Sequence, residues 1–105
     1  MIFTTTETVP GKQIKSVVGV VTGNVVQSKH VGRDIMAGLK SIVGGELAGY
    51  TEMMSEARDT AIERLVSEAT NLNADAIVGI RFTTSAVTDG ASEIMAYGTA
   101  VTLEK

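Results

Sequence analysis

Side chains able to do chemistry are few in this 105-residue chain: one histidine, no cysteine, and groups of acids, arginines and methionines. His30 stands between Lys29 and Arg33, just ahead of Asp34, a residue suited to a helix N-cap. A basic loop at a helix start offers an anion site, and its plain alternative is a solvated loop. No glycine-rich phosphate motif with its Lys-Ser/Thr accompanies it. One histidine without cysteine cannot make a structural zinc site within one chain. Glu52, Glu56, Asp59 and Glu63 recur at helical spacing and form one acidic stripe. The stripe offers oxygen ligands to a hard cation, although carboxylates on a straight helix diverge; a solvated face or a subunit contact explains it as well. Met53, Met54 and Met95 are soft donors of the kind Cu(I) takes, or simply core fillers.

Acid–base work by a carboxylate pair falls to Glu46 and Glu68. Glu46 is equally a first-turn acid, and Glu68 stands four residues after Arg64, a spacing at which they pair on a helix. Serines and threonines abound, but with one histidine and no G-x-S-x-G elbow nothing activates a nucleophile. Arg58 borders an apolar helix face, and Arg81 interrupts an apolar strand. A half-buried arginine needs a carboxylate or several carbonyls. The choice is between an arginine–carboxylate clamp, within or between subunits, and capture of an anionic ligand. With Tyr50, Tyr97 and Glu46, the two arginines form the candidate lining of an intersubunit ligand pocket.

The elements that would position these residues follow from periodicity. Residues 44–72 have helical spacing, with Leu47, Tyr50, Met54, Ala57, Ala61, Leu65 and Leu72 on one side. Ala57 and Ala61, at the centre of that face, predict a close approach to a sheet. Residues 35–43 predict a shorter first helix, with Gly44-Gly45 as its end. Asn71 and Asn73 end the second. The valine-rich residues 14–28 predict one long bent strand, with Gly19 and Gly23 marking a bulge or close backbone approach. Residues 74–84 predict a strand with Ala76, Val78, Ile80 and Phe82 on one face and Ile77, Gly79, Arg81 and Thr83 on the other. Asp89-Gly90 predicts a turn into a last strand over 93–103, with Phe82 opposite Tyr97 if those two residues are the tip. Pro10-Gly11 predicts a turn near the start. The expected architecture is a single α+β domain over 1–105: two layers, an antiparallel-rich sheet with two helices on one face, in the order β-β-α-α-β-β.

The bulk properties exclude several classes. A net charge of −3 argues against nucleic acid, which requires a basic face. No basic start with an apolar run opens the chain, and no stretch approaches a membrane span, so a cytoplasmic protein is expected. Aromatics make up 4%, so the core must be built from Val, Ile, Leu, Met and Ala.

The chain resembles the YbjQ-like family of small bacterial proteins, often labelled heavy-metal-binding. The resemblance rests on Thr4-Thr5-Thr6 with Pro10-Gly11, Gly19-Val20-Val21-Thr22-Gly23, Arg33-Asp34-Ile35, and Gly44-Gly45-Glu46 with Tyr50. It continues through Ala57-Arg58, the run from Ala74-Asp75-Ala76 to Gly79-Ile80-Arg81, and Ala96-Tyr97-Gly98-Thr99-Ala100-Val101. It implies a two-layer α/β subunit that assembles into a ring-like homo-oligomer, a pentamer, and it implies no established activity or catalytic residue. The expected function is a homo-oligomeric structural or binding protein, not an enzyme, with no cofactor. The alternative is a small anionic-ligand or metal-ion binding module with sites between subunits.

Overall fold

Val9, Pro10, Gly11 and Lys12 make the first turn, closed by a 3.0 Å bond from the Lys12 N–H to the Val9 carbonyl. Proline presets the second position, and Gly11, at φ 79°, takes the left-handed third position that a type II turn demands. The computed structural model describes residues 1–27, 42–43, 46–88 and 91–105. Its elements are β1 (Ile2–Phe3), β2 (Ile14–Gln27), β3 (Ile42–Val43), β4 (Glu46–Leu47), α1 (Ala48–Asn71), β5 (Ala76–Thr88) and β6 (Ala91–Leu103). The large sheet runs β1-β5-β6-β2, with β1 parallel to β5 and the other pairs antiparallel; β3 and β4 form a separate small pair.

The expected order with two helices is overturned. Among the described residues there is a single helix, and strands flank it on both sides. Ile42 pairs with Leu47 and Val43 with Glu46. The end expected for a first helix is therefore a strand, and its remainder, residues 35–41, lies outside the described residues. The physical reason is that Ile-Val followed by Gly-Gly suits a two-residue hairpin as well as a helix end. Glu46 accordingly lies in β4, ahead of the helix and not in its first turn.

Residues with high helix propensity and no proline sustain α1 for 24 residues. It ends in a Schellman motif: Ala74 N–H bonds the Ala69 carbonyl at 3.1 Å and Asn73 N–H bonds Thr70 at 3.0 Å. Asn73 holds the left-handed position, at φ 60°. The core between α1 and the sheet comprises Val21, Ala57, Ala61, Leu65, Ala69, Ile77, Ile80, Ile94, Ala96 and Ala100. Leu65 is completely buried, worth about 1.5–3 kcal/mol relative to exposure. The expected close approach occurs at Gly23. A Cβ there would lie 2.6 Å from the Leu65 backbone nitrogen and closer still to the Ala61 carbonyl oxygen. Of the expected packing face, Ala57, Ala61 and Leu65 are buried, whereas Met54 and Leu72 are exposed.

Strand β2 is one long strand, with irregular register at Val17/Gly19. In β5 a bulge between Val78 and Arg81 breaks the expected alternation. Gly79 takes φ 64° there, a conformation natural to glycine. Ile77 and Ile80 consequently both face α1, while Ala76 and Val78 join Val9, Val101, Ile14 and Leu103 in a second cluster. A further irregularity at Ala86/Thr88 sets Arg81, and not Phe82, opposite Tyr97.

Candidate functional site

The bulge that reorders β5 also aims Arg81. Its cross-strand neighbour is Tyr97, and the alternation that turns Ile80 and Ala96 toward α1 turns these two side chains to the opposite face. Arg81 Nη1 donates to the carbonyls of Thr5, at 2.9 Å, and Ile80, at 2.8 Å. It satisfies the several-carbonyl requirement of an arginine clamp, and what it clamps is the N-terminal segment. That segment is held further by Thr4 N–H to the Ile77 carbonyl at 2.9 Å, Gly79 N–H to Thr6 at 2.8 Å and Ile80 N–H to Thr4 at 3.1 Å. Its threonines also bond one another. The Thr6 hydroxyl donates to the Thr8 carbonyl at 2.6 Å, so the 2.9 Å contact between hydroxyls makes Thr4 the donor.

Arg58 lies elsewhere. It is exposed on α1, across the sheet from Arg81 and Tyr97, and donates to Ser55 Oγ at 3.2 Å. Within the chain the structure thus brings Arg81 and Tyr97 together and leaves Arg58 apart. Tyr50 falls in the first turn of α1 and Glu46 in β4; their side chains lie outside the description. His30, Lys29 and Arg33 lie outside the described residues.

The remaining candidates separate in the same way. Glu52, Glu56, Asp59 and Glu63 are exposed along α1. Glu68 and Arg64 do not pair with each other; each ends on β2. Glu68 Oε2 accepts the Thr22 N–H at 3.1 Å, and Arg64 Nη1 donates to the Asn24 carbonyl. These bonds occupy outward-facing backbone groups of an edge strand. Glu68 is a strand-edge cap here; the side chain of Glu46, its expected acid–base partner, lies outside the described residues.

A cleft of about 280 Å³ opens where the start of α1 meets the β5–β6 hairpin, lined by Gln27, Met53, Met54, Thr84, Ser92, Glu93 and Ile94. It falls just below the roughly 300–1,000 Å³ usual for ligand pockets. Met53 and Met54 were legible as soft donors. Gln27, Thr84 and Ser92 were not, because only strand register gathers them: Gln27 pairs with Ser92, and Thr84 with Ile94. Met95 pairs with Asn24 and Thr83, on the face away from α1, so the three methionines do not converge. The carboxylate of Glu93 accepts a 2.9 Å bond from Asn24 Nδ2.

Comparison with known proteins gives a consistent result. A YbjQ family model described as "Putative heavy-metal-binding" matches residues 1–104. A UPF0145 protein of Psychromonas ingrahamii is 73% identical over 105 residues, covering 100% of both chains. One from Thermotoga maritima is 59% identical over 105 residues, covering 100% of this chain and 99% of that one. A crystal structure of a protein of unknown function from Pediococcus pentosaceus, of the DUF74 family, superposes with a TM-score of 0.66 at 21% identity, covering 99% and 98% of the two chains. That last likeness is one of fold. Among the described residues no group of three or more His, Cys, Asp or Glu side chains is placed to hold an ion. The thioethers of Met53 and Met54 are the soft donors at the cleft.

Proposed function

The chain belongs to the YbjQ family, and on that premise we propose that it is a homo-oligomeric structural or binding protein, a ring-forming pentamer without a catalytic site of its own. The observation that carries this reading is the sheet face turned away from α1. Among the described residues only one end of it is covered, where Val9 sits with Ala76, Val78 and Val101. On the remainder Val20, Val26 and Tyr97 stand 72%, 58% and 37% exposed. Native mass spectrometry at micromolar concentration tests the reading: a multimer is expected, and a monomer overturns it.

A second reading is favoured by the cleft at Met53 and Met54 and, on the opposite face of the sheet, by the cross-strand neighbours Arg81 and Tyr97. In it the assembled protein binds a small anionic ligand or a soft metal ion at a subunit interface, with Arg58, Tyr50 and Glu46 reaching the site from a neighbouring copy. The same spectra decide it. A stoichiometric mass increment that survives exchange into volatile buffer supports a resident ligand. Bare subunit masses, together with no uptake of added Ag(I) as a Cu(I) surrogate, remove the metal version.

A further inference from the structure

Strand register sets the chemistry of the cleft at the start of α1. Ile94 is buried and faces α1. Thr84 stands beside it across the β5–β6 ladder, Ser92 two residues before it on the same strand, and Gln27, the partner of Ser92, on its diagonal. Residues two apart on a strand share a face, so all four side chains turn toward α1. One apolar spot is thus ringed by an amide and two hydroxyls. None of the three makes a side-chain hydrogen bond among the described residues. Met53 and Met54 supply the wall from the helix. The site holds no free charge. No lysine, arginine or histidine stands among the described lining residues. Glu93 adjoins the cleft, but alternation from Ile94 sends its side chain to the far face, where the carboxylate accepts the Asn24 bond.

We propose that this cleft binds a small, neutral aromatic ring bearing an uncharged amide. The inference takes its site from the binding reading above, leaves an anion to Arg81 on the opposite face, and does not depend on assembly. Three features of the cleft select this class. An anion there would be taken out of water with no cation beside it. A wholly apolar ligand would cover an amide and two hydroxyls and leave them without partners. A flat ring laid on Ile94 meets both conditions, because its amide reaches the polar groups around that residue while its faces stay in apolar contact. Thioether sulfur packs favourably against aromatic rings, which suits Met53 and Met54 as the opposite wall. A volume of about 280 Å³ suits one small ring system better than a whole nucleotide.

The test is methyl NMR of protein isotope-labelled at its five methionines. It is titrated with nicotinamide and, separately, with nicotinate, which carries a carboxylate in place of the amide. Met53→Leu and Met54→Leu identify the two signals. The expected result with nicotinamide is a saturable upfield shift of both, as for methyl groups held over a ring face. Nicotinate should bind at least about 10-fold more weakly, its charge being buried without a partner. Gln27→Leu and Ser92→Ala should each weaken nicotinamide by about 3–10-fold, the loss of one net hydrogen bond. Circular-dichroism melts establish that the variants are folded. Nicotinate bound as tightly as nicotinamide overturns the inference and leaves the anionic version of the binding reading standing. Shifts confined to the other three methionines overturn it, as does the absence of any shift up to tens of millimolar ligand; the metal version then still stands or falls by Ag(I) uptake. Undiminished binding by folded Gln27→Leu and Ser92→Ala also overturns it. If one of these two fails to fold, the other decides alone.

Discussion

Gly23 is the residue on which the packing of α1 depends most directly. A methyl group there would strike the helix backbone at Ala61 and Leu65, and backbone cannot step aside as a side-chain tip can. Gly23→Ala is expected to cost about 3 kcal/mol, at the upper end of overpacking penalties. That corresponds to a fall of about 12–24 °C in a thermal melt. Ala61→Leu acts on the same contact from the helix side and should cost about 1–3 kcal/mol; an unchanged melting temperature and subunit count would contradict it. Asn73 offers a cleaner contrast. Its left-handed backbone suits glycine, so Asn73→Gly should leave stability nearly unchanged. Asn73→Val should lose about 1–2 kcal/mol, and urea midpoints of the pair measure the difference.

Among the elements, the N-terminal segment is tied down by features of very different legibility. The Pro10-Gly11 turn and the helix end near Asn73 were readable because each rests on local backbone preference. So were the alanines facing the sheet, since helical rotation alone places them. The bulge at Gly79 was not readable. It shifts alternation by one residue, and the apolar run from Ala76 to Ile80 is equally compatible with either face, so only the pairing with β6 decides. Arg81 moved with it, as did the cleft, whose lining is gathered by strand register. The first helix failed for a different reason: Ile42, Val43 and two glycines carry a hairpin signal and a helix-end signal at once. The clamp that the bulge creates is testable. Arg81→Met removes two charge-assisted bonds from an exposed site, and the expected loss is about 1 kcal/mol, below the full charged-bond value because water competes. Hydrogen exchange should accelerate at the Gly79 and Ile80 amides, which bond the segment Arg81 holds, and stay unchanged at Val21.

For the whole molecule, as far as the described residues go, one face of the sheet is closed by α1 and the other is mostly open, so the chain is half of a sandwich. If assembly supplies the other half, the melting temperature of wild type should rise with protein concentration, because a multimer that is stabler than its parts melts by mass action. A concentration-independent melt across a hundredfold range would count against that coupling. The topology also bears on how the chain is made. Strand β2 lies near the beginning of the chain, yet its pairing partner in the sheet is β6, with Val17 opposite Val101 and Gln27 opposite Ser92. During synthesis its valines must therefore wait, unpaired, until β6 has been made. Folding dominated by such distant pairings is slow, and the exposed interval is when strands find wrong partners. This chain is thus expected to depend on chaperones at birth more than its small size would suggest.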